Sequence, residues 1–323
     1  MEYAIEVSGM RKYFQEIKAV DDISFQVEKG ELFGFLGING AGKSTTINML
    51  CTLFPWDGNP SSAAGEARIC GHVLGKEDEK IRRKIGVVWQ GNCLDKKLTV
   101  KENLYVRGAL YGQGRRELAE GVERICGKLG LADIFGRRYG FLSGGQKRRC
   151  EIAAALVNTP EVLFLDEPTT GLDPATRQSV WNSLEEMRKK EGVTIFLTTH
   201  YMEEAAKANH IAVIDSGKIR ETGTPFALKE RFAKDKLKLI PIEGRAEELG
   251  AILKRVRSRK EEENGRAVWK EGFFLVTLSD SLSALPILKE TEKCLRRFEL
   301  VQGSMDDVFL NITGKTLKKG SGQ

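Results

Sequence analysis

Short apolar runs closed by glycine-rich or acidic segments recur along this chain. Leu32 to Leu36 is the first, followed at once by Gly37. Ile85 to Gln90, Val162 to Leu165 and Val193 to Leu197 repeat the pattern. Runs this short, bounded by turn residues, predict buried strands of a parallel sheet. Residues 2–8 alternate weakly, while Ile23, Phe25 and Val27 alternate cleanly on one face. These two strands precede the Leu32 run across the short turn Glu28-Lys29-Gly30-Glu31, which predicts an antiparallel flap beside the main sheet. Tyr13 and Phe14 lie between the two strands.

Helical spacing interrupts the strands. Ile47, Leu50, Cys51 and Phe54 fall at i, i+3, i+4 and i+7, one face of a helix. Lys76 to Lys84 reads as a solvated helix, and the Gly/Pro-rich residues 55–66 as a surface loop. From Thr99 to Val157 the period is helical throughout: Thr99 and Glu102 form a capping-box pattern, Gly130 closes a helix over 117–129, and Ser143 caps a helix with Cys150, Ala153, Ala154 and Val157 on one face. A further helix is predicted over 175–190, then a hairpin of 211–215 and 218–221 around Ser216-Gly217.

Gly223-Thr224-Pro225 breaks this order. Beyond it the pattern predicts strands over 237–242, 267–278 and 298–302. Helices are predicted over 245–257, 284–296 and 306–312, the last capped by Ser304 and closed by Gly314. The polar run 258–266 reads as an exposed loop and 315–323 as a disordered tail. The predicted domains are therefore 1–224, with a helical subdomain about 91–158, and a small α+β unit at 225–314.

Composition changes this picture little. The 323 residues are 30% charged and 41% hydrophobic, as in ordinary globular protein, and the length favours two domains. No apolar run approaches the 18 or so residues of a membrane span, and Met1-Glu2-Tyr3 leads into a strand rather than a signal peptide. The six cysteines are scattered and read as buried small hydrophobes in a reducing cytosol, not as a metal or disulfide framework. A net charge of +6 permits attraction to anionic partners without requiring it.

The chemistry sits at the ends of the apolar runs. Gly37, Gly42, Lys43 and Ser44 fit G-x-x-x-x-G-K-[ST], between a strand and a helix as that motif requires. Gly37, Gly40 and Gly42 let successive backbone amides face one concavity, and the helix N-terminus adds its positive dipole end, so a polyphosphate fits. Lys43 can reach the terminal phosphates and Ser44 can offer its hydroxyl to Mg2+. Asp166 and Glu167 close the Val162 run at the sheet's carboxyl edge: Asp166 can hold Mg2+ and Glu167 can orient or deprotonate an attacking water. Ser143, Gly144 and Gly145 form a second capped, glycine-rich helix start. His200 ends the Val193 run, where a γ-phosphate contact and a structural role are both open. An aromatic at Tyr13 or Phe14 can stack on a base or belong to the core.

The ordered set Gly37–Ser44, Gln90, Leu142–Gln146, Val162–Glu167, Asp173 and His200 resembles the ATP-binding cassette of the ABC ATPases over about residues 3–223. The resemblance implies an α/β P-loop NTPase ABC cassette, with a mixed sheet core, an antiparallel β flap and a helical subdomain, joined to a small C-terminal α+β domain. It implies that Phe14, or alternatively Tyr13, stacks on adenine. Asn39, Gly40, Ala41, Gly42, Lys43, Ser44 and Thr45 would hold the phosphates of ATP. Ser44, Gln90 and Asp166 would serve Mg2+, and Glu167, His200 and Gln90 would be catalytic. Ser143, Gly144 and Gly145 would bind ATP held by an opposite subunit in a head-to-tail dimer, and Gln146 and Asp173 would also be ATP-binding. Ile38 and Trp89 depart from the commonest family residues without removing a needed group.

Residues 146–149, 167–174 and the ending Met305 to Gly314 resemble the multidrug, lipid or polysaccharide export type, such as the daunorubicin-resistance group. That implies an ATPase at the cytoplasmic face of the cell membrane, dimerising with itself or a related ATPase subunit. It would drive a separate integral membrane permease, with no nucleic acid partner. Two other classes stay open: a soluble ABC ATPase acting on ribosomes or nucleic acid, and a nucleotide-switched module without useful hydrolysis.

Overall fold

A computed structural model describes residues 2–57, 65–258 and 267–314. The loop expected within 55–66 falls largely, and the loop at 258–266 and the tail at 315–323 almost wholly, outside the described residues. Contacts divide the chain into two units, Met1–Thr224 and Pro225–Gln323.

The first unit runs β1 (Tyr3–Phe14), β2 (Ile17–Glu28), β3 (Leu32–Leu36), α1 (Lys43–Leu50), β4 (Glu66–Ile69), β5 (His72–Val73), α2 (Asp78–Lys84) and β6 (Ile85–Val88). It continues with α3 (Val100–Ala109), α4 (Arg115–Lys128), α5 (Gly144–Leu156), β7 (Val162–Asp166), α6 (Pro174–Glu191), β8 (Thr194–Thr199), α7 (Met202–Ala205), β9 (His210–Asp215) and β10 (Lys218–Gly223). A six-stranded sheet takes the order β10-β9-β3-β8-β7-β6, parallel except at β10. Its members β3, β7 and β8 are buried at every position, because helices and the second sheet cover both faces. An antiparallel sheet, β2-β1-β4-β5, lies against it. Phe196 of β8 joins the two, with Phe25, Phe33, Phe35 and Phe164 all at ring-centroid separations of 5.4 to 5.8 Å.

Register then sets the site. Leu36 pairs with Thr199, Thr198 with Asp166, and Leu165 with Val88. The residues that follow these positions, Gly37, His200, Glu167 and Gln90, are thereby brought to one carboxyl edge of the sheet.

The second unit comprises α8 (Pro225–Phe232), β11 (Lys236–Pro241), α9 (Ala246–Ser258), β12 (Ala267–Lys270), β13 (Phe273–Thr277), α10 (Ala284–Thr291), β14 (Leu295–Val301) and α11 (Met305–Thr313). Its antiparallel sheet has the order β12-β13-β11-β14, with Leu237, Leu239, Leu249, Leu253 and Ile287 in its core. The Met305 to Gly314 ending is structural in this unit. Ser304 and Asp307 form a capping box, Lys236 pairs with Asp307 at 2.6 Å, and Met305, Val308 and Phe309 are buried. Phe309→Ala is expected to cost about 3–5 kcal/mol of stability, read as a lower unfolding midpoint in denaturant. A midpoint equal to that of the unsubstituted chain would remove Phe309 from the core.

Several sequence expectations need correction. Helix α1 stops at Leu50, and Phe54 lies beyond it and is exposed, because Thr52 turns into the left-handed region at φ 62°. The strand expected over 267–278 is a hairpin turned at Glu271-Gly272, both at positive φ. The helix expected over 284–296 ends at Thr291, since β14 pairs with β11 from Leu295 onward and that pairing outweighs helical spacing. The strands β1 and β2 run further than the alternation indicated, so Phe14 is the last residue of β1 rather than part of a connecting loop. Helices α7 and α8, four and eight residues long, are too short to show a clear helical period. Among the described residues no helix is long and apolar enough to cross a membrane.

Candidate functional site

Between β3 and α1 the chain turns on glycines for steric reasons. Gly42 sits at φ +109°, and a Cβ there would lie 2.4 Å from Ala19 O. A Cβ on Gly37 would lie 2.6 Å from Ile214 O. The loop is thus pressed against β2 and β9, and α1 starts at Gly42 with no side-chain cap on its first amides. Uncapped amides at a helix start are a site for an anion.

Lys43 fills this turn from within. It is buried, and its Nζ donates to Gly37 O at 2.8 Å and Ile38 O at 3.1 Å. The same nitrogen lies 3.4 Å from Glu167 Oε1. Burial lowers the Lys43 pKa, and the Glu167 charge opposes that shift.

The two carboxylates differ in environment. Asp166 ends β7 and accepts from Thr198 Oγ1 at 2.6 Å. Burial raises its pKa, against the pull of that hydrogen bond, of Lys43 and of the Ser44 hydroxyl. Glu167 lies just past the strand at φ +46°, a left-handed conformation costly for a non-glycine residue. Its amide is held there by Thr198 O and Oγ1, both at 3.1 Å. Its side chain accepts from Gln90 Nε2 at 3.3 Å and Thr170 Oγ1 at 3.2 Å. His200 Nδ1 lies 3.2 Å from Glu167 Oε2. This nitrogen is buried without an aligned hydrogen bond, so it remains available to an acceptor. The Glu167 carboxyl is held down at about 2, first by His200 and then by Lys43, with burial opposing both.

A cleft of about 520 Å³ opens over these groups, lined by Asn39, Gly40, Lys43, Ser44, Gln90 and Glu167 among others. It is also lined by Ile17, Lys18, Ala19 and Ser216, which sequence reasoning missed. For Ile17, Lys18 and Ala19 the signal was the β1–β2 hairpin register, since Ile17 pairs with Phe14 and Lys18 with Tyr13, while Ser216 reaches the cleft from the β9–β10 turn. The aromatic candidates themselves do not line it. Tyr13 donates its hydroxyl to Asp21 at 2.7 Å, whereas Phe14 keeps a half-exposed ring with its edge to Phe54.

The second glycine-rich start stands apart. Ser143 and Gln146 complete a capping box, with Gln146 N donating to Ser143 Oγ at 3.3 Å. Gly145 packs so closely on α6 that a Cβ would lie 2.2 Å from Thr176 Cγ2. Asp173 caps α6 by accepting from Thr176 N at 3.0 Å. Ser143, Gly144 and Asp173 are exposed, and residues 143–146 and Asp173 are absent from the lining of the Lys43 cleft.

An uncapped helix start, a buried lysine and two carboxylates on a strand end can bind a polyphosphate and position a water against it. The family described as "ABC transporter" matches residues 20–170. The daunorubicin/doxorubicin resistance ATP-binding protein DrrA of Streptomyces peucetius is 39% identical, covering 96% of this chain and 92% of its own length. The Nod factor export ATP-binding protein I of Rhizobium sp. (strain N33) is 36% identical, covering 98% of this chain and 99% of its own. The dimeric structure of a post-hydrolysis state of an ATP-binding cassette bound to ADP and Pi superposes with a TM-score of 0.61 and 25% identity, over 68% of this chain and 98% of that one. Matched along nearly its whole length by such relatives, the chain belongs to the ABC transporter family as an ATP-hydrolysing, ATP-binding subunit of the daunorubicin-resistance type.

Proposed function

We propose that this subunit powers export through a separate integral membrane permease, as the cytoplasmic-face half of a head-to-tail dimer that closes on two ATP molecules. The observation that carries the reading is the exposed Ser143-Gly144 start, capped and glycine-rich yet outside its own chain's Lys43 cleft. A second copy, or a related ATPase subunit, would bring its ATP to that surface. The dimeric cassette structure and the exporter relatives support this.

Within each site Lys43 and the amides of residues 39–45 bind the phosphates, and Phe14, outside the cleft lining but paired across the hairpin with Ile17 at its edge, covers the base once ATP is bound. Ser44, Gln90 and Asp166 fit Mg2+: all offer hard oxygen, and the Ser44 hydroxyl is close enough to Asp166 to lower its pKa. When bound, that ion neutralises charge developing on the phosphates. Glu167 accepts the attacking water's proton or holds the water in line, and His200 donates to the γ-phosphate. Trp89, the residue before Gln90, lines a groove of about 640 Å³ with Leu53, Arg82, Leu110 and Tyr111, among others; on this reading that groove is where the permease docks.

Co-purification from detergent-solubilised membranes tests the reading, using tagged Glu167→Gln chain with ATP to hold the dimer closed. Recovery of a multi-spanning apolar partner is the expected result. Recovery of ribosomes or nucleic acid, with nothing from the membrane, would replace it with the soluble-ATPase alternative.

A further inference from the structure

One buried arginine touches both halves of the hydrolytic machinery. Arg148 lies on α5, between Ser143 at the helix start and the buried Cys150 to Val157 stretch. Its Nε donates to Pro168 O, its Nη1 to Trp89 O, and its Nη2 to Asp166 O at 3.3 Å. Those carbonyls belong to the two neighbours of Glu167 and to the residue before Gln90. Three separated backbone acceptors on two strand ends suit a planar guanidinium, which an ammonium cannot imitate.

Glu151, one turn further along α5, grips the other end of the Gln90 segment. Its Oε1 accepts from Cys93 N at 2.8 Å and Leu94 N at 3.1 Å. The fully buried Tyr139 hydroxyl donates to the same oxygen at 2.7 Å. Residues 89–94 are therefore held to α5 from both ends, and the strained Glu167 is braced on both sides by the same helix. Arg148 and Glu151 are both nearly inaccessible to solvent, and their charges face each other as well as these backbone partners.

We propose that Arg148 and Glu151 are positioning residues, which make α5 a rigid link from the Ser143-Gly144-Gly145 surface to Gln90 and Glu167. Engagement of that surface by the opposite subunit's ATP thereby fixes where the water-orienting groups of this subunit stand. The inference rests on the head-to-tail reading above.

The test uses the purified full-length chain. Arg148→Lys keeps the charge and loses the fork; Glu151→Gln keeps the shape and loses the charge. For each, kcat and KM are measured with Mg-ATP, ATP affinity with a fluorescent analogue, and the folded fraction by denaturant titration. A positioning role lowers kcat at least tenfold per folded molecule, while KM and affinity stay within about threefold. A kcat within twofold of the unsubstituted value, or a fall that follows the folded fraction or the affinity, overturns the proposal. Should Arg148→Lys not fold, Glu151→Gln carries the same decision. Ser143→Arg in a Glu167→Gln background separates the two levels. If ATP-dependent dimerisation persists there, the head-to-tail reading fails. If it is lost and Arg148→Lys still turns over normally, only the link through α5 fails.

Discussion

Glu167→Gln is expected to lower ATP turnover by about 10²- to 10⁴-fold, the usual contribution of a positioned general base, while ATP binding persists. The amide keeps the shape of the carboxylate, so the hydrogen bond from Thr170 and the braced backbone at φ +46° are retained. What is lost is the negative charge between Lys43 and His200. That charge does two jobs. In the nucleotide-free chain it offsets Lys43, and the carboxyl held at about 2 is a poor base in that state. A bound polyphosphate competes with Glu167 for Lys43, because Lys43 and Glu167 line the same cleft, while His200 Nδ1 stands beside the same carboxylate. On the proposed mechanism, once Lys43 turns to phosphate, Glu167 loses part of what depressed it and gains basicity toward the attacking water. Single-turnover hydrolysis and equilibrium ATP binding, measured on the same preparation, separate the two jobs. Tight binding with no hydrolysis is the expected pair. Hydrolysis at the unsubstituted rate would move the catalytic carboxylate elsewhere.

The parallel core was legible because β3, β7 and β8 are buried on both faces and so appear as bare apolar runs. Their ends announced Gly37, Asp166-Glu167 and His200 for the same reason: polar residues that abruptly follow a buried strand lie at the sheet's edge. What stayed hidden came from pairing across long separations. Ile17 and Ala19 reach the cleft through a hairpin register that no local period encodes. The fork of Arg148 onto residues 89, 166 and 168 spans three distant segments, and in sequence it is one basic residue within a charged run. In the second unit, β14 took residues that helical spacing had claimed, because its partner β11 lies more than fifty residues upstream.

Lys43→Ala is expected to weaken ATP binding by about two to three orders of magnitude, since a close charge contact at a partly screened site is worth about 4 kcal/mol. The loss reaches beyond the nucleotide. Gly37 O and Ile38 O lose their donor, and Glu167 and Asp166 are left adjacent with no lysine between them and the cleft. Breaking a buried pair from one side costs about 3–5 kcal/mol, so the nucleotide-free variant is also less stable. The sign of its pH dependence follows from Glu167. Its folded pKa, about 2, is below the ordinary 4.5, first through His200 and in part through Lys43, so Lys43's share of that stabilisation is fully present above pH 4.5 and is lost as pH falls toward 2. Unfolding titrations of the variant and the unsubstituted chain should therefore differ most near neutrality and converge in acid. Affinity within threefold of the unsubstituted chain would show that the helix-start amides bind the phosphates without Lys43. A stability gap that stayed constant or widened in acid would show that the gap does not come from a Lys43–carboxylate pair.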